Sequence, residues 1–81
     1  MSLVVRYESA AAGTSAPTQG VARNISEGGL SLRTPTALRR GEVLRLHVPL
    51  PGGPTSVPVS SEVLWTKEEV GGYTSGLQFL A

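Results

Sequence analysis

The sequence contains no cysteine and no aspartate, and only one histidine, His47. The first absence removes disulfides, thiolate nucleophiles and cysteine-ligated zinc together. The second removes any Ser-His-Asp arrangement, and Ser-His-Glu would have to run through His47, which falls on the outward side of its strand pattern. One imidazole and six scattered glutamates lack the clustering a metal site needs. Neither catalysis nor a resident metal or cofactor is expected. Aromatics are just as sparse, with Tyr7, Trp65, Tyr73 and Phe79 making up the set, so the core has to be aliphatic. No apolar run approaches the ~18 residues of a membrane span, and MSLVVRYES does not read as a secretory leader. A cytoplasmic protein without membrane insertion is the expectation.

Charge of one sign is missing as well. Seven basic and six acidic side chains leave a formal net charge of +1, so no global field draws the chain to nucleic acid or to an anionic membrane. Any anion site must be local. Eighty-one residues bound a single domain, residues 1–81, with one core.

What is present is strand. No window keeps helical spacing without meeting Gly or Pro, whereas period-two alternation recurs along the chain. Leu3, Val5 and Tyr7 alternate with Val4, Arg6 and Glu8 in a first strand. Residues 10 to 18, AAAGTSAPT, predict a small-residue loop with a mobile tip. Thr18 to Ile25 reads as a second strand and Leu30 to Thr34 as a third, with Leu30 and Leu32 sharing a face. Gly41 is the expected positive-φ residue of the turn after Pro35. Val43 to Val48 follows, with Leu44 and Leu46 on one face and Arg45 and His47 on the other. PLPGGPT marks a hairpin, Val57 to Thr66 is the longest strand pattern, and Tyr73 to Leu80 closes the chain. Trp65 and Phe79 fall in core-like alternation, and Glu68 and Glu69 read as a solvated pair near a turn. About six short strands in an 81-residue chain fit a barrel or a sandwich. A closed antiparallel barrel is favoured, because an open sheet would leave two edges and an apolar face uncovered.

The most informative stretch is VARNISEGGLSLRT, residues 21 to 34, where a strand breaks on Asn24, Ile25 and Ser26 and resumes after Gly28 and Gly29. Two readings stand side by side. Asn24 and Ser26 are residues that satisfy turn backbone groups locally, which makes a purely structural reversal. Alternatively, Asn24 and Ser26, two apart on a strand, point the same way while Gly29 leaves the backbone bare, which admits a flat hydrogen-bonding ligand.

Asn24-Ile25-Ser26-Glu27-Gly28-Gly29 resembles the (Asp/Asn)-x-Ser-x-x-Gly motif of PilZ domains, bacterial receptor modules for cyclic di-GMP. The layout of ALRRGEVLRLHVPLP, VSSEVLWTKEE and GLQFL is similar to later parts of that family, so the likeness covers roughly residues 3 to 80. It implies a six-stranded antiparallel barrel in which Asn24 and Ser26 would hydrogen-bond a guanine and Gly29 would let it approach, with Gly28 and Arg23 counted among the candidate site residues. The family's second element, an Arg-x-x-x-Arg clamp on the phosphates, has no match here. Arg6 has Ser2 and Ala10 four residues away. Arg23, Arg39 and Arg40 are the substitutes to weigh. The resemblance therefore implies a signalling domain linked to cyclic di-GMP, with binding weakened or lost and a protein-adaptor role of the kind found in motility or type IV pilus assembly. The competing expectations are a full receptor whose arginines come from elsewhere and a small-barrel binder of single-stranded nucleic acid, which near-neutral charge disfavours.

Overall fold

The structure is a computed structural model and describes residues 2–10, 17–50 and 52–80. Six strands follow one another: β1 (Ser2–Ser9), β2 (Thr18–Arg23), β3 (Gly29–Thr34), β4 (Val43–Pro49), β5 (Ser56–Glu69) and β6 (Gly72–Phe79). Around the molecule they run β1-β2-β3-β6-β5-β4, and β4 pairs back onto β1 to close an antiparallel barrel. The expected all-β barrel is what the chain forms. Most of the small-residue loop expected after β1 lies outside the described residues.

Alternation decides which side chains go inside. Val5 and Tyr7, Leu30 and Leu32, and Leu44 and Leu46 are same-face pairs two residues apart, and all six are buried. Ala22, Val63 and Leu77 join them, as does Leu38 from the β3–β4 connection. Each fully buried Leu or Val adds about 1.5–3 kcal/mol of transfer free energy, so the packed aliphatics supply the driving force that the few aromatics cannot. Tyr7 is the one aromatic in this buried set, and Phe79 packs partly against it. The Tyr7 phenol oxygen completes no hydrogen bond among the described residues. Burial pushes its pKa up, against the opposing pull of the Thr36 and Thr34 side chains. His47 points outward as expected and meets Glu8 across the β1–β4 seam at 3.0 Å, with Arg45 at 3.9 Å from the same carboxylate. Gly41 has the expected positive φ, 88°.

One irregularity changes what the outer surface presents. Along the β5–β6 ladder Val63 pairs with Leu77 but Trp65 pairs with Gly76, so Leu64 is an extra residue, a β-bulge. A single inserted residue reverses in-out parity beyond it. Trp65, expected in the core from the Val63-x-Trp65 spacing, is therefore on the outside and 47% exposed.

Candidate functional site

β2 ends at Arg23, two residues earlier than expected, because Asn24 turns into the left-handed region at φ 52°. That conformation costs most L residues about 1–2 kcal/mol, and asparagine is one of the few types that tolerate it. Asn24 and Ser26 are thus not alternate residues of a strand. They belong to the turn between β2 and β3, and both line one groove on the outside of the barrel.

Local hydrogen bonds hold this turn in shape. Ser26 N–H donates to the Gly29 carbonyl at 2.9 Å, and Ser26 Oγ donates to the same oxygen at 3.3 Å. Asn24 Nδ2 donates to Ser31 Oγ at 3.2 Å, and Ser31 Oγ donates to the Arg23 carbonyl at 3.1 Å. Phe79 N–H donates to the Gly28 carbonyl at 2.9 Å, tying the turn to the end of β6. Asn24 Oδ1 has no protein partner among the described residues, and both Asn24 and Ser26 are exposed. Asn24 thus serves the turn through Nδ2 and leaves Oδ1 open, whereas the Ser26 hydroxyl is itself engaged with the Gly29 carbonyl.

The two glycines divide in the same way. A Cβ on Gly29 would run into the Leu77 carbonyl oxygen, so the bare backbone there is required by the close approach of β3 to β6. A Cβ on Gly28 would meet nothing within 4 Å. Gly28 borders open space in the groove, where an added methyl would touch no protein atom.

The groove is a shallow, open depression of about 490 Å³. One wall is the turn, with Asn24, Ser26 and Gly28; the other is the β5 bulge, with Leu64 and Trp65. Its floor is made by small or flat positions of β3 and β6, including Gly29, Ser31 and Gly76. The indole lies directly over Gly76, where any Cβ would collide with its ring. The bare glycine leaves room for the indole, which stays about half exposed. Polar hydrogen-bonding groups beside an exposed aromatic ring are what unstacked bases bind.

Arg23 stands at the end of β2 beside this groove, exposed and without an ion pair among the described residues. Arg39 and Arg40 do not line it; their turn is bonded to β5 through Gly41 N–H and the Val63 carbonyl at 2.7 Å. Glu68 and Glu69 are both exposed, as expected, and Glu69 is in addition engaged by its neighbours. Glu69 accepts hydrogen bonds from Arg33 Nη1 at 3.2 Å and from Thr74 Oγ1, while Arg33 Nη2 donates to the Val70 carbonyl. Trp65 is the groove residue that sequence reasoning missed. The available signal was Leu64-Trp65 itself, two large apolar neighbours that a regular strand cannot bury on one face.

Among the described residues no helix is long and apolar enough to cross a membrane. A search of curated proteins and a search of solved structures each returned no match. The family model of the PilZ domain matches residues 2–81, nearly the whole chain. That match and the closed six-stranded barrel agree, and the chain belongs to the PilZ family, a family of cyclic di-GMP-related signalling domains that bind or adapt and do not catalyse.

Proposed function

We propose that this domain reads cyclic di-GMP weakly through the groove of Asn24, Ser26, Gly28 and Gly29, and passes its state to a protein partner in signalling or motility, such as type IV pilus assembly. The observation that carries this reading is the exposed Asn24–Ser26 corner facing an exposed Trp65 across a floor of small residues. A guanine stacked on the indole reaches the turn's hydrogen-bonding groups with its edge. Affinity is reduced because no Arg-x-x-x-Arg pair occurs within these residues, and each charge-assisted hydrogen bond lost costs about 1.5–3 kcal/mol. The proposed setting is cytoplasmic.

Calorimetric titration of the protein with cyclic di-GMP tests this. High-micromolar affinity that disappears in Asn24→Ala and Ser26→Ala is expected. Submicromolar affinity would contradict the weakened site and favour the full receptor whose arginines come from elsewhere. An exposed indole on the outside of a small barrel also suits a single nucleic-acid strand. Salt-sensitive binding of an oligonucleotide, tighter than that of cyclic di-GMP, would move the function to that class.

A further inference from the structure

A cyclic dinucleotide brings two phosphate charges to the groove, and the floor of Gly29, Ser31 and Gly76 offers no cation to meet them. The strand register shows where cations stand. Arg23 pairs with Ser31, Ser31 with Gly76, and Gly76 with Trp65, so these four positions form one row across β2, β3, β6 and β5. The next row on the same face is Val21, Arg33, Thr74 and Lys67. Lys67 belongs to this outer face only because the bulge at Leu64 reverses the parity of β5.

Three cations therefore share a face with Glu69. Arg33 is engaged by Glu69 and by the Val70 carbonyl, which draws it toward the β5–β6 turn. Arg23 and Lys67 have no ion pair among the described residues, and both are exposed. The Glu69 carboxyl is held below its usual range first by the Thr74 hydrogen bond and then by Lys67, Arg33 and Arg23, so the fields of all three cations overlap at one point.

We propose that Arg23, next to Asn24 at the end of β2, and Lys67, one row beyond Trp65 on the same outer face, contact the phosphates of the cyclic dinucleotide whose guanine meets Asn24 and Ser26, and that Glu69 opposes them. The proposal rests on the guanine-facing reading of the groove. It also explains why that reading gives weak binding. Both cations are solvated, one of them is a lysine, and a lysine is a point charge where an arginine fork binds phosphate bidentately.

The test is titration of the wild-type protein and of Arg23→Gln, Lys67→Gln, Glu69→Gln and Arg40→Ala with cyclic di-GMP at two salt concentrations, with guanosine as a phosphate-free probe. The glutamine variants keep the apolar stems of the long side chains, and thermal melts check each fold. Arg23→Gln and Lys67→Gln should each weaken cyclic di-GMP binding about tenfold, the size of one charge-assisted contact, and flatten its salt dependence. Glu69→Gln should tighten it severalfold, Arg40→Ala should change nothing, and guanosine affinity should stay constant across the set. If the wild type binds and both glutamine variants bind equally well, the phosphate contacts are overturned while the groove reading stands. If the wild type does not bind cyclic di-GMP at all, the groove reading falls and the phosphate contacts fall with it.

Discussion

The two turns that border the β3–β6–β5 face are both held by hydrogen bonds but differ in the residue at the left-handed position and in what they leave open. The β5–β6 turn places Gly71 at φ 82°, where glycine pays no steric cost, and stitches its neighbours down through Arg33, Glu69 and Thr74. The β2–β3 turn places a non-glycine residue, Asn24, at φ 52° and leaves its Oδ1 unpartnered. Local stability would favour glycine at that position too. The β2–β3 turn keeps one exposed acceptor open, which the proposed binding role uses, whereas the side chains around the β5–β6 turn are engaged with one another.

Substitutions at the glycines of the first turn should separate the two demands most sharply. Gly29→Ala should destabilise the protein by about 3 kcal/mol in denaturant unfolding, since the new methyl meets backbone that cannot rotate away. Gly28→Ala, one residue earlier, should stay within about 0.5 kcal/mol and act on cyclic di-GMP binding instead. Equal stability losses at both positions would break the comparison.

The left-handed positions give the next largest effect. Gly71→Ala forces a side chain into a region that costs about 1–2 kcal/mol and should lower stability by that amount with little effect on binding. Asn24→Gly should leave stability within about 1 kcal/mol, because relief of strain offsets the lost bond to Ser31, and should remove nucleotide binding. Calorimetry beside thermal melts reads both quantities. A third substitution, Trp65→Ala, should change stability by less than about 1 kcal/mol for a half-exposed ring on the outside of the sheet, with a clear loss of binding.

The smallest effect is one of pH, and it belongs to the stitched turn alone. The folded-state pKa of Glu69 is lowered, by the Thr74 hydrogen bond first and by Lys67, Arg33 and Arg23 after it. Its contribution is therefore fully present above the ordinary value near 4.5 and is lost as pH falls through the lowered one. Acid titration of stability should show a slope below that pH which Glu69→Gln removes. A slope that survives the substitution would assign the acid sensitivity elsewhere.

Most of the barrel was legible because a strand with one buried face writes its own period, as in Leu30 and Leu32 or Leu44 and Leu46. Two features left no such mark. The bulge at Leu64 is a matter of how β5 registers with β6, and the Val63-x-Trp65 alternation put Trp65 inside, the adjacent Leu64 and Trp65 being the one local sign against it. The end of β2 at Arg23 depends on one left-handed dihedral at Asn24, which extended the apparent strand to Ile25. The candidate site was legible as a motif but not as geometry. Gly28 and Gly29 look alike in sequence, and only the approach of Leu77 to one of them distinguishes a packing requirement from open space. The second wall of the groove, Leu64 and Trp65, lies far along the chain and becomes a neighbour only through the barrel's strand order.

The central claim is that the turn and the bulge form the two sides of one nucleotide-facing groove. The most direct test is a nitrogen–proton correlation NMR titration of the wild-type protein with cyclic di-GMP. The account predicts shifts concentrated at Asn24 to Ser31, Leu64 to Lys67 and Gly76 to Gln78, including the indole N–H of Trp65. Shifts confined to the β1–β4 seam around Glu8 and His47, or none at saturating nucleotide, would contradict it.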